Sequence, residues 1–146
     1  MDITLIKEEM NERFHKDTAI ALATLRNNLP ECRFIDGYYK EGSFYVVTHQ
    51  KSGKMIDIYQ NNHVSIASEQ WFQAHGVAID LGHPLKEENL SLREELRTVF
   101  SSFYGEHVDE SDPHTNFLQI KLTDAILFWK GQKIQIDFRK LFTYPT

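Results

Sequence analysis

The sequence predicts a mainly β protein with helices, of the α+β class, arranged as a closed or nearly closed antiparallel barrel with helices at its edges. Predicted strands outnumber predicted helices, and short turns join most of the strands as hairpins. The chain has 146 residues, of which 41% are hydrophobic. This is enough for a real core, and we assign residues 1–146 to a single domain.

Composition and motifs exclude several classes of protein. The formal net charge of −5 argues against a general nucleic-acid binder, which would carry a basic face. The sequence has no signal-peptide pattern and no apolar run long enough to span a bilayer, so we expect no membrane association and a cytoplasmic location. The single cysteine, Cys32, excludes an internal disulfide and a multi-cysteine zinc site. We expect Cys32 to be a small buried side chain within a strand rather than a nucleophile.

The first predicted element is an amphipathic helix over residues 2–16. Its apolar residues recur at helical spacing and form the stripe Ile6, Met10 and Phe14. Asp2 or Thr4 is suited to cap this helix, because each has a short side chain with an oxygen acceptor. We expect the helix to close one side of the barrel.

Strand signals dominate the next part of the chain. Residues 18–25 are apolar almost throughout, and periodicity alone leaves a strand or a helix open there. Residues 31–39 and 43–48 are rich in β-branched and aromatic residues on either side of a turn at residues 40–42, which is a hairpin signal. Residues 54–60 fit a short helix, and its predicted apolar side comprises Met55, Ile56 and Tyr59.

Two more strands are predicted at residues 64–67 and 71–81. Gly76 lies inside the second, and a glycine within a strand often marks a bend or the close approach of another backbone. After residues 82–84 a helix follows, with Ser91 and Glu94 as a capping box and Gly105 as its stop. Its core-facing stripe is Leu92, Leu96, Val99, Phe100 and Phe103.

The remaining chain is a loop and a hairpin. Residues 108–114 are acidic, but they lack a calcium-loop pattern, so we expect a solvated loop rather than a metal site. Residues 117–130 and 133–138 are the last two predicted strands, joined by a turn that contains Gly131.

Cations and hydroxyls gather where the hairpin ends and the short helix begins. Arg33 lies in the first strand of the hairpin, and Thr48, Ser52 and Lys54 lie at and after the end of the second. Helix starts favour anions, because free N–H groups and the positive end of the helix dipole lie there. The pattern favours a phosphate-bearing small molecule, with chance clustering of surface lysines as the alternative.

The same stretch resembles the flavin-binding split-barrel family typified by pyridoxamine 5'-phosphate oxidase and its general-stress-protein relatives. The family's ordered motifs read here as Pro30-Glu31-Cys32-Arg33, Phe44 to Thr48, Ser52-Gly53-Lys54 and Asn61-Asn62-His63-Val64. Asn62 stands where the family usually has proline. The resemblance extends more loosely over residues 18–138. It implies the split version of the barrel, and a strand buried on both faces at residues 18–25.

The resemblance implies a site for flavin mononucleotide (FMN). Arg33 and Lys54 would hold the phosphate, with Ser52 and the Gly53 backbone beside them. The residues along the ring and the ribityl chain would be Phe34, Ile35, Val47 and Thr48. The flavin would carry the electrons for an oxidoreductase acting on a small molecule that the sequence does not identify.

The resemblance also implies a homodimer, because the family generally places the flavin between two subunits. Trp71, Phe72 and Trp129 are candidates for the interface or the ring slot, since large aromatic side chains anchor interfaces. The pyridoxal-phosphate-forming enzyme itself is a poor match, because its C-terminal arginine-rich motif is reduced here to Arg139 in the tail IDFRKLFTYPT.

Two alternatives to a flavoprotein stay open. A split barrel can take haem, and His49, His63 or His75 could supply an axial ligand, although their spacing selects none of them. It can also serve without a cofactor, as a binding or stress-response module. The sequence shows no Ser-His-Asp or Cys-His pattern for hydrolysis and no histidine spacing typical of a metal site.

Overall fold

The computed structural model describes residues 2–142, and the end of the C-terminal tail, residues 143–146, lies outside them. The strands are β1 (Thr18–Arg26), β2 (Leu29–Lys40), β3 (Ser43–His49), β4 (His63–Ser68), β5 (Phe72–Gly82), β6 (Thr115–Trp129) and β7 (Gln132–Asp137). The helices are α1 (Ile3–Phe14), α2 (Gly53–Gln60), α3 (Leu90–Val99), α4 (Tyr104–His107) and α5 (Phe138–Leu141), with a 3₁₀ turn at Glu87–Asn89. None of these helices combines the length and the apolar character needed to cross a membrane.

The strands form one antiparallel sheet in the order β3-β2-β1-β4-β5-β6-β7. β3 also pairs with β6 along its whole length, and this pairing closes six of the strands into a barrel. β7 extends the sheet beyond β6. The predicted antiparallel barrel with helices at its edges is therefore confirmed.

α1 closes one side of the barrel, as predicted. Ile6, Met10 and Phe14 are buried and join the main core inside the barrel. The cap is Asp2, whose carboxylate accepts a hydrogen bond from the Thr4 N–H at 2.8 Å. The aromatic ring of Phe14 packs against other core rings, so the helix is held by its apolar face.

The outer face of the sheet is more exposed than the sequence predicted. β1 buries one face, but Ala19 on the other face is exposed and Ala21 is partly exposed, so the prediction of burial on both faces is wrong. Cys32 is also exposed, which corrects its prediction as a buried side chain. Side chains alternate along a strand, so Cys32 lies on the outer face opposite Ala23 while Arg33 points inward.

α2 packs through a different face than predicted. Met55 and Ile58 are buried, whereas Ile56 and Tyr59 are 46% and 54% exposed, so the prediction was wrong for these two residues. The helix instead turns Asp57 toward β1, where hydrogen bonds satisfy the buried carboxylate. A partnered carboxylate can thus take an inward position that apolar periodicity would give to another residue.

α3 and α4 cover a second, smaller core on the outside of β3 and β6. The predicted stripe is confirmed, since Leu96 and Phe100 are buried and Leu92, Val99 and Phe103 pack against them. The predicted ends are wrong. Asn89 precedes the helix, its amide donating to the carbonyls of Leu81 and His83, and α3 ends at Val99. Gly105 lies inside α4.

Gly76 confirms the predicted close approach of two backbones. A Cβ atom at this position would lie 2.9 Å from the carbonyl oxygen of Lys121 on β6. The register between β5 and β6 shifts between His75 and Gly76, which is a bulge in the sheet. Any larger residue at this position would push the two strands apart.

Candidate functional site

β2 and β3 separate at one end of the barrel. Their register covers Tyr38 to Lys40 of β2. β2 nevertheless stays paired with β1 as far as Leu29, and β3 stays paired with β6 as far as His49. The two strands therefore diverge, and a gap opens between the first half of β2 and the second half of β3. The side chains of this gap and the start of α2 form the candidate site.

Arg33 lies in β2, and its side chain is held in place by contacts with β1 and α2. Its Nη1 donates to Thr24 Oγ1 at 2.7 Å and to the carbonyl oxygen of Leu22 at 3.2 Å. Its Nη2 lies 3.5 Å from Asp57 Oδ2. The side chain remains 25% exposed, so the guanidinium is both fixed and accessible.

Asp57 is the counter-ion of Arg26 and Arg33, and its side chain is fully buried. Its Oδ1 accepts a hydrogen bond from Arg26 Nε at 2.6 Å, and its Oδ2 accepts one from Thr24 Oγ1 at 2.7 Å. Burial acts to raise the pKa of Asp57, but the hydrogen bonds from Thr24 and Arg26 and the charges of Arg26 and Arg33 outweigh it, so the pKa is lowered. The carboxylate is therefore ionised at neutral pH.

Lys54 is a half-buried cation at the start of α2. Its Nζ donates to Thr48 Oγ1 at 2.7 Å. Among residues 2–142, no carboxylate lies within ion-pair distance of its ammonium group. Burial and the positive charge of Arg33 lower the pKa of Lys54. Because this cation is desolvated and repelled by its neighbour, a bound anion would stabilise it strongly.

Ser52 and Gly53 form the turn into α2. The Ser52 hydroxyl caps the helix by accepting a hydrogen bond from the Met55 N–H at 3.4 Å. The Gly53 carbonyl accepts one from Arg26 Nη2 at 3.2 Å, and a Cβ at position 53 would lie 3.3 Å from that same nitrogen. Glycine therefore lets the Arg26 guanidinium lie directly against the start of the helix.

The other residues of the predicted site lie on different faces. Phe34 points away from Arg33 to the outer surface of the sheet, where it is 83% exposed. Ile35 packs against the barrel core, on the same side of β2 as Arg33. Val47 packs with the smaller core under α3. The predicted residues that the structure brings together are Arg33, Thr48, Ser52, Gly53 and Lys54.

Sequence reasoning missed Thr24, Arg26 and Asp57. Thr24 and Arg26 are two positions apart in β1 and share a face, which is a usable signal once β1 is known to be a strand. Asp57 follows Lys54 by three positions in α2, so both lie on one side of the helix. Their meeting depends on how α2 docks on β1, which no local pattern specifies.

A groove crosses the outer face of the sheet and encloses a cavity of about 230 Å³. Small side chains form much of its lining: Ala21, Ala23, Ser65 and Ala67. His75 Nδ1 lies 2.8 Å from Asp124 Oδ1 at its side. Ser65 stands opposite His75 in the register, but no hydrogen bond joins them within the described chain, so the three residues form no Ser-His-Asp relay.

Large aromatic side chains flank this groove. Trp71 is 74% exposed and Phe128 is 48% exposed, with their ring centres 6.4 Å apart. Trp71 has a left-handed backbone with φ of 59°, a conformation that is costly for a bulky residue. Of the other two aromatics named from the sequence, Phe72 is buried in the core and Trp129 packs partly buried against it.

The histidines named as haem ligands differ in what their rings contact. Both ring nitrogens of His49 are engaged: Nδ1 accepts from the Lys51 N–H at 3.1 Å, and Nε2 lies 2.8 Å from Asp112 Oδ2. His75 contacts Asp124 through Nδ1 alone, and His63 lies exposed at the start of β4. Within residues 2–142, no group of three or more His, Cys, Asp or Glu side chains could hold a metal ion.

Comparison with known proteins identifies the fold. No protein-family model matches the sequence, and no curated protein is significantly similar to it. The chain is similar in structure to a Clostridium acetobutylicum protein related to general stress protein 26 of Bacillus subtilis, of the pyridoxinephosphate oxidase family. That match has a TM-score of 0.66 and 14% identity, and it covers 97% of this chain and 100% of the other.

Two further solved structures have the same fold. An FAD-binding protein from Mesorhizobium loti matches with a TM-score of 0.64 and 18% identity, over 81% of this chain and 90% of that one. A haem-binding protein from Mycobacterium smegmatis matches with a TM-score of 0.66 and 14% identity, over 86% of this chain and 55% of that one. These likenesses confirm that the barrel is a split barrel.

Proposed function

We propose that this protein binds FMN in the gap between β2 and β3, with the phosphate on Arg33 and Lys54 beside Ser52 and Gly53. The observation that carries the proposal is the half-buried ammonium group of Lys54, which has no carboxylate partner in residues 2–142 and lies near the Arg33 guanidinium. A phosphate monoester carries about two negative charges at neutral pH. Such a ligand would relieve the repulsion between the two cations.

The walls of the gap suit the rest of a flavin. Where β2 leaves β3, the edge of β2 that faces the gap presents main-chain N–H and C=O groups to a ligand. Ile35 offers an apolar surface there. The Thr48 hydroxyl, which accepts a hydrogen bond from Lys54, offers a polar group. A flavin site combines such a slot with a few polar groups that fix its orientation.

We further infer an oxidoreductase of the pyridoxamine 5'-phosphate oxidase-like kind, acting on a small molecule. A bound flavin supplies the electron transfer, and the protein's residues bind and orient it. The structural neighbours described as FAD-binding and as belonging to the pyridoxinephosphate oxidase family support this inference. Arg33 and Lys54 would fix one end of the flavin, so that the ring lies along β2.

The proposed assembly is a homodimer with two equivalent flavin sites at the subunit interface. Exposed aromatic side chains on the outer face of the sheet support it: Phe34, Trp71 and Phe128. Exposed large apolar side chains, of which Trp71 and Phe128 lie together, are typical of interaction sites. Phe34 would then reach the flavin from the interface side of β2. Light scattering at micromolar concentration should give twice the monomer mass of 17.1 kDa, and a monomer would contradict the assembly.

A second candidate function is haem binding, and one observation favours it. His75 has Nδ1 on the Asp124 carboxylate, which is how metal-binding histidines are commonly oriented, and it borders the outer groove. The similar structure of a haem-binding protein supports this alternative. If haem is the ligand, the purified protein will show a Soret band that His75→Ala removes.

The deciding experiment is a titration of the stripped protein with FMN and with riboflavin, followed by absorbance and fluorescence. FMN should bind much more tightly than riboflavin, because riboflavin lacks the phosphate, and added salt should weaken FMN binding. Equal affinities for the two ligands would refute the phosphate assignment. Failure to bind either flavin, together with no Soret band after addition of haem, would leave a module without these cofactors.

A further inference from the structure

Arg26, Arg33 and Lys54 form a cluster of cations at the gap, and no sequence motif assigned Arg26 to it. Arg26, at the end of β1, donates through Nε to Asp57 Oδ1 at 2.6 Å and through Nη2 to the Gly53 carbonyl at 3.2 Å. Its side chain is 44% exposed. Arg26 therefore lies at the turn into α2, on the same buried carboxylate that Arg33 approaches at 3.5 Å.

Charges in this cluster do not balance. Arg26, Arg33 and Lys54 bring three positive charges, and within residues 2–142 Asp57 is the one carboxylate in ion-pair contact with any of them. Counted by ion-pair contacts, the cluster therefore has an excess of two positive charges, and Glu31 attracts Arg26 without being in ion-pair contact with it. Asp57 holds both guanidiniums and limits their mutual repulsion, but it does not neutralise the cluster.

The three cations also have more N–H donors than they have acceptors among the described residues. An arginine side chain has five N–H donors. The structure gives Arg26 acceptors for Nε and Nη2, and within the described chain its Nη1 has none. Arg33 uses Nη1 and Nη2, which leaves its Nε. Lys54 uses one of its three donors on Thr48. Charge-assisted donors thus remain free on all three side chains.

We propose that Arg26 is a third phosphate contact of this site and that Asp57 is the internal counter-ion that positions Arg26 and Arg33 for it. This inference rests on the proposed binding of a phosphorylated flavin. It adds that the site selects a phosphate monoester, which carries about two negative charges, because three cations meet there with one carboxylate in ion-pair contact. Asp57 is a positioning residue, since it would hold the arginines without touching the ligand.

The first test compares Arg26→Gln with the wild type for FMN and for riboflavin. Loss of one charge-assisted contact should weaken FMN binding about tenfold, while riboflavin affinity stays unchanged, because riboflavin has no phosphate to contact. Lys51→Gln is the matched control. It removes an exposed cation from the loop between β3 and α2 and should change FMN affinity by less than about threefold. A variant Arg26→Gln that keeps the wild-type FMN affinity, or that weakens both flavins equally, would overturn the proposal.

The second test uses Asp57→Asn with inorganic phosphate as the probe. This variant keeps the size of the side chain and one oxygen that can accept the hydrogen bond from Arg26, so the arginine stays positioned. It removes the negative charge and leaves three positive charges without a counter-ion. The unliganded protein should melt at a lower temperature, phosphate should stabilise it more than it stabilises the wild type at equal ionic strength, and FMN should bind about tenfold tighter. If FMN and riboflavin both bind more weakly to Asp57→Asn, Asp57 is only a structural brace and the proposal fails.

These tests separate the two proposals. If the proposed function is wrong, wild-type protein will not discriminate between FMN and riboflavin and will not respond to phosphate. If the function is right and this inference is wrong, the wild type will discriminate and Arg26→Gln will discriminate equally well. Far-UV circular dichroism of each variant shows whether a change in affinity arises from unfolding.

Discussion

Two ionic clusters in this protein are built from similar parts but differ in charge balance. Under α3 and α4, Arg93 donates to both carboxylate oxygens of Glu110 at 2.6 and 2.8 Å, and the Tyr104 hydroxyl donates to the same carboxylate at 2.9 Å. One cation meets one anion. At the gap, Asp57 likewise accepts from a hydroxyl, that of Thr24, but it faces two guanidiniums, and Lys54 lies nearby.

The difference indicates different roles. The Glu110 cluster satisfies itself, so its contribution is to hold α3 and α4 to the loop that leads into β6. The gap cluster is satisfied only in part, and it keeps its surplus positive charge next to an open strand edge. Repelling charges that are held together by the fold are more typical of a binding site than of a structural brace. Changing a residue of the gap cluster should therefore alter FMN affinity more than stability, and changing a residue of the Glu110 cluster should alter stability more than FMN affinity.

The largest expected effect is that of Lys54→Ala on FMN binding. Removal of the unpaired cation should weaken FMN binding by roughly tenfold to a hundredfold. The melting temperature should change little, because no ion pair within residues 2–142 is broken. Fluorescence titration and thermal melting measure the two quantities. Wild-type affinity in this variant, or a large loss of stability, would remove the distinction between the clusters.

The next effect is that of Glu110→Gln on stability. The substitution keeps the shape of the side chain but leaves the Arg93 guanidinium, which is 22% exposed, without its anionic partner. We expect a loss of about 1–3 kcal/mol in the free energy of unfolding, measured by urea denaturation. FMN affinity should stay within about twofold, since Glu110 lies in the other cluster.

Glu106→Gln, a change at an exposed carboxylate of α4, is the control and should leave both quantities unchanged. Weaker FMN binding to Glu110→Gln would mean that the two clusters are coupled.

The sequence predicted the barrel, and it named several of the residues that the structure brings together at the gap, because those features depend on local patterns. Strand alternation and hairpin turns are local, and so is the S-G-K turn into α2 that carries Ser52 and Lys54. Asp57 and Arg26 escaped prediction because they meet only after α2 docks on β1, thirty-one positions apart. The exposure of Cys32 was not predicted for a related reason. The strand pairing decides which face of β2 is outside, and the local sequence does not show which face that is.

A third cluster extends the comparison, because its excess charge has the opposite sign. Asp17 and Asp36 are two carboxyl groups near the start of β1, and burial of Asp17, followed by the charge of Asp36 and a hydrogen bond with it, raises the pKa of Asp17 to about 6. Carboxylates that repel each other can bind a proton. Arginines cannot release one at neutral pH, so a bound anion is what relieves the guanidiniums of the gap cluster.

The smallest expected effect is that of Asp17→Asn on the pH dependence of stability. Between pH 3.8 and about 6 the folded protein binds the Asp17 proton and the unfolded chain does not. Stability should therefore fall as the pH rises through this range, and the loss should persist above it. Asp17→Asn should flatten this part of the profile and should be slightly more stable than the wild type at pH 7. The gain should be small, because the Asp17 side chain is only partly buried and solvent screens its interaction with Asp36. Urea denaturation between pH 4 and pH 7.5 measures the profile, with Glu12→Gln on α1 as an exposed control. Parallel profiles for Asp17→Asn and the wild type would show that the carboxyl pair does not share a proton, and would remove this pair from the comparison with the gap cluster.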